Sequence, residues 1–292
     1  MSGNDSNVQA LYGLNAEMLG LARAYDGWDI SNVGELIAEF QKRFSGVRQL
    51  RWNYLTDEKF ANLALANPKA QTVNRLFLSH LIRLAEAYQW MSVWRVTEVA
   101  APAVRALNAN EITAACVLTR SLLELTASFA LAALKIEKWF RTFPWEQVDQ
   151  TRFGDPEMEL FITKLVFGSR LRDDDDPLKQ TNILTLINKL DKLAVQHGQQ
   201  PKMVAERYAV LSEAAHPNHL GFERFMGEIS HDAATSWSTR ELRVAETGAA
   251  RDHLAKNCLW GLAFSHFMML ESFSMIDEAK TAYLDALGRP LP

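Results

Sequence analysis

The chain has 292 residues, 48% of them apolar, and its 31 basic and 35 acidic residues leave a net charge of −4. That length allows one large domain or two small ones, with ample material for a core. The charge balance gives no general attraction to nucleic acid or an anionic membrane, so no extended DNA-binding surface is expected. The N-terminus lacks a basic region followed by an apolar run, so a signal peptide is not expected and a cytoplasmic protein is. Cys116 and Cys258 lie in apolar helical surroundings, outside any metal or redox spacing, and read as small buried hydrophobes.

Residues 1–66 read as short helices forming an N-terminal addition. One runs from Val8 to Ala24, a second from Asn32 to about Phe44, and a third starts at Thr56 and ends near Asn67. The rest, 67–292, reads as the bundle core of the same domain. Pro68, Pro156, Pro177 and Pro201 each occupy a position suited to the first turn of a helix. After Pro68, the apolar positions Val73, Phe77, Leu81, Leu84, Tyr88, Met91 and Trp94 form one stripe, and Pro102 kinks or ends that helix. The run Lys42, Arg43, Arg48 and Arg51 reads as a solvated basic face.

Ile112 to Leu134 is the stretch around which the chain is organised. Asn108 and Glu111 resemble a capping box that starts it, and Ala and Leu dominate it. It is long enough to cross a bilayer. Arg120 and Glu124 fall near its middle, where a charge costs roughly 2.5–3.5 kcal/mol in lipid, so a core helix is expected and no membrane span. A helix apolar all round is buried, so the two charges are expected to go inside with it, one turn apart on one face.

Further on, Glu157 to Phe167 is amphipathic, and Asp173 to Asp176 reads as a dipole-favoured helix start before Pro177. Met203 to His216 forms a helix stopped by Pro217. Asn218 to Arg240 lacks periodicity and reads as a functional or covering loop, and a last buried helix starts near Ala249. No strand alternation, repeat or low-complexity segment is evident.

Polar groups on two apolar helices define the candidate site. Tyr208, Ser212 and His216 recur at four-residue spacing on one face, with Glu213 beside them. They are expected to face Arg120 and Glu124, with His216 or Tyr208 near that pair. In a catalytic version His216 is the acid–base group and Arg120 stabilises an anion, with Glu124 as the third catalytic candidate. Tyr208, Ser212, Glu213 and Asn218 are then binding residues. Glu213-Ala-Ala-His216 and Glu228-Ile-Ser-His231 both read Glu-x-x-His, but a di-metal bundle needs them on separate long helices with two further Glu residues. Pro217, Gly221 and Gly227 intervene, so no metal and no cofactor is expected. The sequence has no phosphate-cradling Gly-rich loop, Gly-x-Ser-x-Gly elbow or zinc-finger spacing.

Three segments together resemble an uncharacterised bacterial family grouped with the HEPN helical bundles. They are Arg120-Ser-Leu-Leu-Glu124, Thr181-Asn-Ile-Leu-Thr-Leu-Ile187, and Tyr208-Ala-Val-Leu-Ser-Glu-Ala-Ala-His216-Pro-Asn218. The likeness covers roughly residues 70–275. It implies an all-α multi-helix bundle with a HEPN-like core, usually a homodimer, directed at RNA or a nucleotide in a stress or defence role. Many members of the superfamily are RNases, and others are structural or nucleotide-binding. Active RNases carry Arg, four to six residues, then His on one helix. Arg75 with His80 and Arg224 with His231 fit that spacing, about as often as chance supplies it, while Arg207 and His216 are too far apart. This departure counts against nuclease activity. The alternative expectation is a non-enzymatic dimerisation or interaction module with a buried Arg–Glu–His network.

Overall fold

The computed structural model describes residues 12–25, 29–47, 49–53, 55–151, 154–196, 200–223, 225–243 and 247–287. It is an all-α, multi-helix bundle with one small sheet among the described residues. The helices are α1 (Ala16–Arg23), α2 (Val33–Phe44), α3 (Asp57–Ala66), α4 (Ala70–Asn108), α5 (Ile112–Thr142), α6 (Pro156–Phe167), α7 (Ile183–Gln196), α8 (Met203–Ala215), α9 (His219–Glu223) and α10 (Ala249–Leu287). The strands β1 (Met226–Asp232) and β2 (Trp237–Leu242) pair antiparallel, and a 3-10 turn covers Trp145–Gln147.

Several ends follow local chemistry as the sequence predicts. Thr56 accepts from the Lys59 amide at the start of α3, and Asp155 accepts from Met158 with Pro156 in the first turn of α6. Elsewhere proline does not start helices. After Pro177, Asp176 instead closes a turn, accepting from the Leu178 amide at 2.7 Å and from Arg172 at 2.9 Å, and α7 begins only at Ile183. Within the acidic run Asp174 pairs with Lys179 and Asp176 with Arg172, and no helix starts there. Pro102 sits inside α4, which continues to Asn108. Asn108 is therefore a helix end and not a cap of α5. Its side chain bonds the Asn15 amide and the Gly13 carbonyl, and Asn110 takes a left-handed φ of 60° at the turn.

The stretch expected to be an irregular loop contains α9 and the hairpin. Its strands carry no alternation because both faces of the ribbon are solvent-exposed, and period-two patterning arises only where one face is buried. Glu228 and His231 lie on β1, so that Glu-x-x-His is not helical. Arg224, Arg48, His197 and residues 8–11 of the expected first helix lie outside the described residues.

The chain divides into two compact units. The first comprises Met1–Arg48, Val96–Leu125 and Asp191–Phe267; it holds α1, α2, α8, α9 and the hairpin, with the adjoining parts of α4, α5 and α10. Its core includes Ile37, Phe40, Leu107, Leu122, Leu211 and Trp260. The second comprises Gln49–Arg95, Thr126–Leu190 and Met268–Pro292. Phe129, Phe140, Ile162, Leu190 and Tyr283 fill it. There Ser79 bonds Tyr283 across 2.6 Å and Asn74 donates to the carbonyls of Val148 and Thr151. Arg75 and His80 belong to this unit.

One described helix, α5, is long and apolar enough to cross a membrane, and half of its most apolar window is buried inside the protein. Its exposed residues are Thr113, Ala114 and Val117 in the first half and Lys135, Lys138, Arg141 and Thr142 toward the end.

His266 lies wholly inside the first unit. Its Nδ1 donates to the Leu262 carbonyl at 2.7 Å, Tyr12 Oη sits 3.1 Å from Nε2, and the Phe40 ring meets it edge-on. Burial pulls its pKa down to about 4 from 6.5, outweighing the Leu262 bond. Between those values the unfolded chain binds more protons, so stability falls with falling pH through that window, by about 3 kcal/mol in all. Denaturant midpoints for wild type and His266→Gln, compared from pH 7 to 4.5, should show the steeper acid loss in wild type. Parallel curves would contradict this assignment.

Candidate functional site

The site forms within the first unit, where α8 lies against the first half of α5. Asp191 fixes the start of α8. Lys202, at its N-cap, has a left-handed φ of 61° and no capping bond of its own. The buried Asp191 carboxylate reaches across from α7 and accepts from the amides of Val204 at 2.8 Å and Ala205 at 2.9 Å. A carboxylate on a helix N-terminus is favoured by both the open amides and the dipole. This residue was missed in the sequence because it caps a helix that begins twelve residues later.

With α8 placed, Tyr208 meets the α5 pair. Arg120 Nε donates to Tyr208 Oη at 3.3 Å, and Tyr208 donates to Glu124 Oε1 at 2.8 Å. Arg120 Nε also lies 3.4 Å from the same Glu124 oxygen, and the guanidinium carbon sits 5.4 Å from the Tyr208 ring centre. The three groups form a closed relay of hydrogen bonds. Burial, then the Glu124 acceptor, hold the Tyr208 phenol above its ordinary pKa, so it donates as a neutral hydroxyl. The Tyr208 bond likewise raises Arg120, which stays charged.

Two expectations need correction. Arg120 and Glu124 are not fully buried: their side chains are 31% and 30% exposed. The face of α5 that carries them stays open beside Ala114 and Val117, and a helix apolar on all sides carries no mark of which side another helix will cover. The expected Arg–Glu–His network also lacks its imidazole. His216 is the exposed C-cap of α8, eight residues beyond Tyr208, or about 12 Å along the axis at about 1.5 Å per residue. It makes no bond to the pair. Tyr208 takes the place expected for either residue.

The other candidate residues divide in the same way. Glu213 and Asn218 bond each other, and Asn218 Oδ1 accepts from the Gly221 amide at 3.1 Å, so both build the turn from α8 into α9. Ser212 lies one turn beyond Tyr208 with its hydroxyl buried and without a partner. Among the described residues, no group of three or more His, Cys, Asp or Glu side chains is arranged to hold a metal. Cys116 and Cys258 face each other 3.6 Å apart, fully buried, and burial pushes the Cys258 thiol well up. Cys258 is therefore held as the thiol, and both sulfurs are shielded from solvent.

The only nearly inaccessible Arg side chain in the ion pairs described is Arg251, at 2% exposure. It lies in the first turn of α10 and bonds Asn110, Glu17 and Asp252. A cation in a first turn opposes the dipole, and that misplacement was the one sequence signal available.

No protein-family model, no curated protein and no solved structure matches this chain.

Proposed function

We propose that this chain is a HEPN-like helical protein directed at RNA or a nucleotide, with Arg120 as its phosphate contact. One observation carries the reading. The Tyr208–Glu124 relay holds Arg120 through Nε, while its two terminal nitrogens make no hydrogen bond among the described residues and the side chain is 31% exposed. A guanidinium held at one edge presents the rest of its fork to a phosphate. This reading asks for recognition and needs no acid–base group at His216.

The competing reading, a non-enzymatic interaction module, draws support from the Glu124 carboxylate beside Arg120 and from the remoteness of His216. Anisotropy titrations with labelled single-stranded RNA, and calorimetry with nucleotides, separate the two. Arg120→Gln should weaken binding on the order of tenfold, with unchanged helicity by circular dichroism. Binding indifferent to Arg120→Gln, or absent in wild type, favours the module. RNA cleavage that persists unchanged in Arg120→Ala and His216→Ala removes both residues from any nuclease chemistry.

A further inference from the structure

We propose a second ligand site, for a phosphate-class oxyanion, on the side of α8 that carries Arg207, built from Tyr25, Arg207, His253 and Asn257. All four belong to the first unit and none takes part in the Arg120 relay.

The arrangement starts from Asn257, a buried amide on α10. Its Nδ2 donates to the His253 carbonyl at 2.8 Å and lies 3.4 Å from His253 Nε2. That fixes the amide so that its Oδ1 faces α8, where it accepts from Arg207 Nη1 at 3.1 Å. The guanidinium carbon lies 5.5 Å from the Tyr25 ring centre, in cation–π range. Asn257 and Tyr25 thus hold Arg207 through one nitrogen and one face.

What remains is a set of unspent donors. Arg207 is half-buried and has no carboxylate partner among the described residues, and Nε and Nη2 make no hydrogen bond there. Tyr25 Oη is buried and lacks a partner. A buried hydroxyl without a partner is destabilising and calls for a reason. His253 is exposed at the edge of the cluster. With Nε2 turned to an amide donor, its proton sits on Nδ1, which is a further donor.

The cluster has a positive charge and several donors, and its one strong acceptor, Asn257 Oδ1, is already used. A cation is therefore excluded and an anion fits. The donors come from three elements: the segment after α1, α8 and α10. That suits the several oxygens of a tetrahedral phosphoryl group better than a planar carboxylate, which one Arg fork would satisfy alone.

The test uses the full chain in phosphate-free buffer, with calorimetry and thermal melts. The probes are inorganic phosphate, adenosine 5′-monophosphate and acetate at matched ionic strength. Wild type should bind phosphate or the nucleotide saturably, with no such response to acetate. Arg207→Gln should weaken binding roughly tenfold or more. Tyr25→Phe keeps the ring under Arg207 and removes only the hydroxyl. It should weaken binding severalfold and melt higher than wild type in the unliganded state, so the test survives any misfolding of Arg207→Gln. Saturation by both phosphate probes supports the site and assigns it to the phosphoryl group itself. Saturation by the nucleotide alone supports it with recognition of the attached nucleoside. Absence of response to both probes, an equal response to acetate, or unaltered binding in Tyr25→Phe and Arg207→Gln overturns the proposal. Its failure leaves the Arg120 reading untouched, because the two clusters share no residue.

Discussion

Replacing Arg251 by methionine should destabilise the chain by about 3–5 kcal/mol, the range for breaking a buried ion pair from one side. The guanidinium is 2% exposed and uses all three of its nitrogens. Nε donates to Asn110 Oδ1 at 2.9 Å, Nη2 pairs with Glu17 Oε1 at 2.7 Å, and Nη1 pairs with Asp252 Oδ1 at 3.0 Å. These bonds tie the first turn of α10 to α1 and to the turn between α4 and α5. Asn110 holds a left-handed φ of 60° in that turn, so the bond also supports a backbone geometry that non-glycine residues adopt reluctantly. Methionine keeps much of the buried volume and removes every donor. Glu17 is 55% exposed and can recover water on losing its partner, which places the expected cost toward the lower end of the range. Lysine at this position keeps the charge and loses the fork, so Arg251→Lys should fall between wild type and methionine. Urea denaturation reads the effect, and a loss below about 1 kcal/mol for Arg251→Met would mean that this cluster does not anchor the unit.

Gly261→Ala should cost about 1–3 kcal/mol through overpacking, and Gly261→Val more. A Cβ built at Gly261 on α10 falls inside the van der Waals envelope of Thr119 Cγ2 on α5, with Leu123 Cγ behind it at 3.8 Å. Cys116 and Cys258 touch along the same seam three residues earlier on each helix, so the two helices meet closely over about one turn. Thr119 is wholly buried and β-branched, which leaves its methyl no rotamer of low cost to escape into. Thr119→Ser removes that methyl and keeps the hydroxyl, so the double variant should regain most of the stability lost in Gly261→Ala. A coupling energy of about 1–2 kcal/mol in the double-mutant cycle would be diagnostic. Additive losses would show that the seam adjusts elsewhere.

Both predictions concern residues to which the sequence drew little attention, and the reason is physical. Helix positions were legible because periodicity, capping residues and breakers act within a few residues. The ranges of α2, α3, α6 and α8 agree with their sequence signals to within about two residues. Even the companionship of Tyr208 with Arg120 and Glu124 was legible, since polar groups on two apolar helices have few other places to go.

The hairpin was not legible, because a ribbon exposed on both faces needs no alternation of apolar and polar residues. The Asn108 cap was misassigned because Asn at a helix end and Asn at a helix start look alike until the chain before α1 arrives to bond it.

The sequence by itself determined that this protein is helical and where most helices lie, because those choices are settled by each segment's own backbone and neighbours. The tertiary structure alone decided which cation is enclosed, Arg251 and not Arg120, and which imidazole lies deep, His266 and not His216. Burial of a given side chain depends on the helix that packs over it, and that partner is distant in the chain.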